Sequence, residues 1–127
     1  MWPFSRRKPP RVESVSLGYP STNADDFTVL TVGQSRLDDS FSAIGFTAES
    51  ERRFTQASVV PLVDPRMGTV ADVEVRVDGY VVGYLRPPSL NTAIEQMEQQ
   101  GAATLEVPVM IFFAPAGPEV RVHSALS

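Results

Sequence analysis

The chain has 127 residues, 43% of them hydrophobic and 20% charged, which suits one domain with a core of ordinary size. With no cysteine and a single histidine, it has no disulfide framework, no thiolate zinc ligation and no histidine metal cluster. The formal net charge is -4 and lies unevenly: Arg6, Arg7, Lys8 and Arg11 give the first dozen residues about +4, leaving about −8 on the rest.

An acidic body does not attract polyanions, so nucleic-acid contact must come from the arm or a local basic spot. Ser5-Arg6-Arg7-Lys8 superficially matches a twin-arginine leader, but Pro9, Pro10, Arg11 and Glu13 follow where an apolar stretch belongs. The longest apolar run, residues 107 to 114, is broken by Pro108 and is far too short to span a bilayer. A soluble cytoplasmic protein is expected, or a virion-associated one if the source is viral. A proline-punctuated polar arm is ordinarily a solvated tail. Trp2 and Phe4 beside the basic cluster suit docking instead, so Trp2, Phe4, Arg6, Arg7, Lys8 and Arg11 form a candidate partner-binding arm. Residues 12 to 26, with Gly18, Pro20, Ser21 and Asn23, read as a linker. The arm and linker thus take residues 1 to 26, and the folded domain residues 27 to 127.

Residues 27 to 32 have strand composition, with Phe27, Val29 and Thr31 on one face. Gly33 ends the strand. Leu37, Phe41 and Ile44 then make one helical stripe, with Ser35 as expected N-cap, Asp38 and Asp39 in the first turn, and Gly45 as stop. Residues 56 to 63 read as a second strand, and Pro61 places it at an edge or bulge.

Residues 72 to 85 are the most explicit stretch. Val73, Val75 and Val77 alternate with polar residues, and Asp78-Gly79 closes a two-residue hairpin of type I′. The expected register sets Val77 opposite Tyr80, Val75 opposite Val82 and Val73 opposite Tyr84, all on one apolar face. After Pro87-Pro88, a helix starts at Ser89 with Leu90, Ala93, Ile94 and Met97 inward and Gly101 as its C-terminal stop. Residues 104 to 113 form a long strand with Leu105, Val107, Val109, Ile111 and Phe113 on one side. Met110 and Phe112 on the other imply burial of both faces near its end. Val120 and Val122 complete a last strand, with Arg121 and an exposed edge His123 pointing the other way. The fold class expected is mainly β, α+β by content: a small OB-like barrel of about six strands with two helices.

Val32-Gly33 after the first strand, a short helix, Pro-Leu-Val-Asp-Pro at residues 61 to 65, the Val-Asp-Gly hairpin, and Val82-Gly83-Tyr84-Leu85 before a helix together resemble the HIRAN domain family. The likeness covers roughly residues 27 to 123. It implies a small β-barrel related to the OB type, found in DNA-repair helicases and in stand-alone bacterial and phage proteins, that recognises single-stranded DNA and notably free 3′ ends. The family's Glu-Pro-x-Asn-x-x-Asp-x-x-Ala-Val segment reads here from Asp64 to Val73, without its asparagine, aromatic and acidic positions. The Arg-Tyr pair that follows the first Val-Gly is replaced by Ser35-Arg36. Of the ligand face, Arg36, Tyr84 and Arg86 retain chemistry suited to a nucleotide.

No nucleophile triad, phosphate-binding glycine loop or metal spacing occurs, so the expectation is a non-enzyme without cofactor or small-molecule substrate. Two functions follow. One is protein interaction or self-assembly, as an adaptor or a structural component such as a virion part. The other is single-stranded DNA binding through Arg36, Tyr84 and Arg86.

Overall fold

The computed structural model describes residues 11 to 127. Among these, seven strands form one sheet: β1 (Val12–Ser16), β2 (Val29–Leu30), β3 (Arg53–Val63), β4 (Val70–Val77), β5 (Tyr80–Tyr84), β6 (Ala102–Ala114) and β7 (Gly117–Val122). Two helices accompany them, α1 (Asp38–Ala43) and α2 (Ser89–Gln100). Six strands are antiparallel neighbours in the order β2-β7-β6-β3-β4-β5, and the sheet curls into a half-barrel. The mainly β class read from the sequence is therefore the one observed.

Long strands that change partners produce the curl. β3 pairs with β6 through residues 53 to 59 and with β4 through residues 58 to 63, so each neighbour takes one half of it. Inside the curl, period-two alternation delivers Val73, Val75 and Val77 from β4 and Leu105, Val107, Val109 and Ile111 from β6, all buried. α2 lays Ala93, Ile94 and Met97 on this core, and α1 adds Phe41. Each large apolar side chain so buried contributes roughly 1.5–3 kcal/mol, which is why neither helix needs to be stable alone.

The β4–β5 hairpin closes as expected: Asp78 has φ 52° and Gly79 φ 84°, with Val77 opposite Tyr80. Beyond one further pair the register departs from expectation. Arg76 faces Val81 but Val75 faces Gly83, so Val82 is an extra residue on β5. This bulge turns Val82 into the core and sets Tyr84 opposite Glu74 instead of Val73. Tyr84 consequently leaves the valine face and is half-buried, whereas Tyr80, still opposite Val77, is 47% exposed beside the turn.

Other expectations need correction. Residues 12 to 26 are not a free linker: Val12–Ser16 is a strand running parallel to β6, and Asn23 caps a short 3-10 turn at Ala24–Asp26. The segment after β1 leads to Phe27, which is buried against the rings of Phe54 (5.5 Å) and His123 (5.8 Å). Ser35 does not cap α1; it lies in a 3-10 turn at Gln34–Arg36, and Leu37 occupies the N-cap position. His123 is not an idle edge residue, since its Nδ1 accepts the Ala125 N–H at 3.0 Å and caps the last turn. Phe113 is 41% exposed although its alternation is inward, because β6 has run past the core there.

Pro61 and Pro108, two of the three strand prolines, are accommodated by backbone polarity. The Pro108 carbonyl accepts the His123 N–H at 3.0 Å, so the position of its missing donor faces the junction where β1 and β7 both end. The Val73 carbonyl is taken by Leu85 at 3.0 Å, so the Val73–Pro61 pair needs no donor from Pro61. At Gly79 an added Cβ meets nothing within 4 Å, so only its left-handed backbone opposes substitution. Gly79→Ala is expected to cost about 1–2 kcal/mol in urea unfolding with the fold retained.

Candidate interaction site

The two Val-Gly motifs meet. Val32 lies just past β2 and pairs with Tyr84 at the end of β5, the Val32 N–H donating to the Tyr84 carbonyl (3.0 Å) and the Tyr84 N–H to the Val32 carbonyl (2.9 Å). The opposite ends of the six-strand path are thereby joined at one point. Each glycine makes room for the other motif. A Cβ on Gly33, which has φ 92°, would lie 2.8 Å from Tyr84 Cδ2. A Cβ on Gly83 would lie 2.8 Å from both Gln34 Nε2 and Thr31 Oγ1. Thr31 is itself held, donating its hydroxyl to the Val120 carbonyl at 2.7 Å and accepting from Gln34 Nε2.

This junction brings two of the three sequence-predicted nucleotide contacts together. The Cδ2–Cε2 edge of the Tyr84 ring meets Gly33, and the Arg36 N–H donates to the Gly33 carbonyl at 3.1 Å, so both residues abut one glycine. Arg86 follows two residues after Tyr84, where its Nη1 lies 3.3 Å from Asp72 Oδ1. The contact at Gly33 is with the edge of the Tyr84 ring, which rests against the Gly33 backbone.

Charge around the junction is balanced by carboxylates. Exposed Arg36 forms no ion pair among the described residues, but Asp38 and Asp39 follow it in the first turn of α1. Arg86 is paired with Asp72. Glu74, opposite Tyr84 on the neighbouring strand, is 7% exposed and accepts from Arg76 Nε at 2.9 Å. Three guanidinium groups therefore face four carboxylates, and the face is no cationic groove. The Arg86–Asp72 pair is largely solvated and contributes no more than about 1 kcal/mol.

The arm residues Trp2, Phe4, Arg6, Arg7 and Lys8 lie outside the described residues. Arg11 is the one described member. Its N–H donates to the Gly101 carbonyl at 2.8 Å, and its Nε lies 2.9 Å from where a Gly101 Cβ would be. That places a cation at the C-terminal end of α2, where the helix dipole favours it.

A cavity of about 530 Å³ that sequence reasoning missed is lined by Pro20, Ser21, Thr22, Phe54, Thr55, Gln56 and Pro108. Three of its seven lining residues belong to the segment expected to be linker, and no local pattern predicts that residues 20 to 22 face β3. Its lining holds hydroxyls and one amide but no titratable side chain. The Ser21 hydroxyl donates to Asp26 Oδ2 at 2.6 Å and accepts the Asn23 N–H at 3.0 Å, a local turn contact. Among the described residues no group of three or more His, Cys, Asp or Glu side chains is arranged to hold a metal ion. Nor is any described helix long and apolar enough to cross a membrane.

No protein-family model, curated protein or solved structure matches the chain.

At Gly33 two costs of substitution combine, left-handed backbone and collision with Tyr84. Gly33→Ala is expected to destabilise by about 2–4 kcal/mol, but by only about 1–2 kcal/mol in a Tyr84→Ala background, where the backbone cost alone remains. Urea melts of the double-mutant cycle measure the difference; equal losses in both backgrounds would show that the ring does not rest on Gly33.

Proposed function

We propose that this chain is a non-catalytic interaction module on a scaffold resembling the HIRAN domain, acting by protein contact as an adaptor or assembly component. The observation that carries the reading is the charge balance at the Gly33–Tyr84 junction. Arg86 is tied to Asp72 at 3.3 Å, Arg36 is followed by Asp38 and Asp39, and Glu74 lies opposite Tyr84. Binding of a polyanion draws its affinity from uncompensated cations, and here Arg86 is paired and carboxylates outnumber the cations. Protein contact asks for exposed apolar and aromatic groups instead. Leu62 and Val63 at the end of β3 and Met67 in the following loop are exposed, the last at 69%. The sequence supplies Trp2 and Phe4 in the basic arm as well.

Single-stranded DNA binding stands as a second reading, favoured by the shared position of Arg36 and Tyr84 at Gly33. Fluorescence anisotropy with a 3′-ended oligonucleotide at low salt separates the two. Protein contact predicts no saturable binding at roughly tens of micromolar protein, the regime of weak non-specific association. It also predicts that co-purifying proteins are lost when Trp2 and Phe4 are both changed to Ala. Saturable binding abolished by Arg36→Glu, with an unchanged partner list for the aromatic variant, would overturn it in favour of DNA.

A further inference from the structure

Residues 18 to 27 cross the outer face of the sheet as a strap tied down at both ends. At one end Gly18, with φ 82°, lies against His123, where an added Cβ would come within 2.8 Å of Nδ1. At the other, Phe27 is buried against the rings of Phe54 and His123. Between these anchors the strap bonds to itself. Asn23 Oδ1 accepts the Asp25 N–H at 3.1 Å, while the Ser21 hydroxyl donates to Asp26 Oδ2 at 2.6 Å and accepts the Asn23 N–H at 3.0 Å. None of these bonds reaches the sheet, so the strap stands off it, and the cavity of about 530 Å³ is the space it spans. A wall held by its own hydrogen bonds keeps its shape without a ligand, which is the condition for a pre-formed site.

The chemistry of the walls narrows what could enter. Gln56 pairs with Pro108 across β3 and β6, and alternation puts both, with Phe54, on the face opposite the buried Ala57 and Val59. Pro20, Phe54 and Pro108 supply flat apolar surface. The Gln56 amide and the Thr22 hydroxyl have no partner among the described residues, and each can donate as well as accept. No lining side chain is titratable, and the Asp26 carboxylate behind Ser21 disfavours an anion. Tyr19, the neighbour of Pro20, is 84% exposed and leaves its ring free beside the wall.

We propose that this cavity is a binding site for a neutral saccharide. A pyranose ring has an apolar C–H face and a rim of hydroxyls that both donate and accept, matching flat proline and phenyl surfaces bordered by an amide and a hydroxyl. A flat aromatic ligand would cover Gln56 and Thr22 without pairing them, and a sugar acid would bring its carboxylate to a wall without a cation. The inference goes beyond the protein-contact reading and does not depend on it.

Amide NMR of the full chain, titrated with methyl glucoside, maltose, lactose and diacetylchitobiose, tests the site. At least one of these sugars is expected to shift the Gln56 side-chain amide and the Tyr19 and Thr22 backbone amides saturably. The affinity is expected in the millimolar range, as for a small ligand of ordinary efficiency. Gln56→Ala and Tyr19→Ala are each expected to weaken it at least fivefold with the melting temperature unchanged. The uronic acid of the same sugar is expected to bind at least tenfold more weakly. No saturable shift at these amides with any of the four sugars up to about 50 mM, equal binding of the uronic acid, or tighter binding of benzamide at the same amides overturns the proposal.

Discussion

Two hydrogen bonds between Val32 and Tyr84 hold the ends of a six-strand path together, and the other functional features take their position from that junction. A curled sheet with free ends exposes two edges; joining them at one point removes part of that liability and fixes where β2 and β5 lie. The join exists because two glycines allow close approach. Gly33 admits the Tyr84 ring and Gly83 admits Thr31 and Gln34, so each motif fills the space the other leaves. The β5 bulge completes the arrangement. With Val82 as the extra residue, Tyr84 is carried out of the valine face and across to Val32.

The same junction explains the balance of charge on that face. Bringing β5 beside the turn after Gly33 places Tyr84 and Arg36 at one glycine, but it also brings the first turn of α1, with Asp38 and Asp39, into the neighbourhood. Asp72 and Glu74 come from the adjacent strand. The face that carries Arg36 and Tyr84 thus gives a polyanion little attraction.

Much of this was legible in the sequence where local chemistry and periodicity agree. The Asp78-Gly79 turn, the α2 stripe of Ala93, Ile94 and Met97, the Gly101 stop and the inward row from Leu105 to Ile111 all follow from short-range rules, and burial agrees with them. The failures share one cause, which is tertiary pairing that no short window encodes. Residues 12 to 16 have one hydrophobic alternation and many polar neighbours, and become a strand only because β6 is long enough to pair with β1 and β7 end to end. The hairpin register was lost at Val82, where a bulge answers to the demand of Val32 at the far end of the sheet. The cavity beside Phe54 was invisible because its wall joins sequence-distant residues, Pro20 to Thr22 with Phe54 to Gln56 and Pro108.

Native-state hydrogen exchange of the Val32 and Tyr84 amides tests the central claim most directly. If their mutual bonds close the half-barrel, both amides exchange as slowly as those in the middle of β3 and β6, through opening close to global unfolding. Exchange orders of magnitude faster, while β3 and β6 stay protected, would mean that the ends of the sheet part freely and that the shared position of Arg36 and Tyr84 is not maintained.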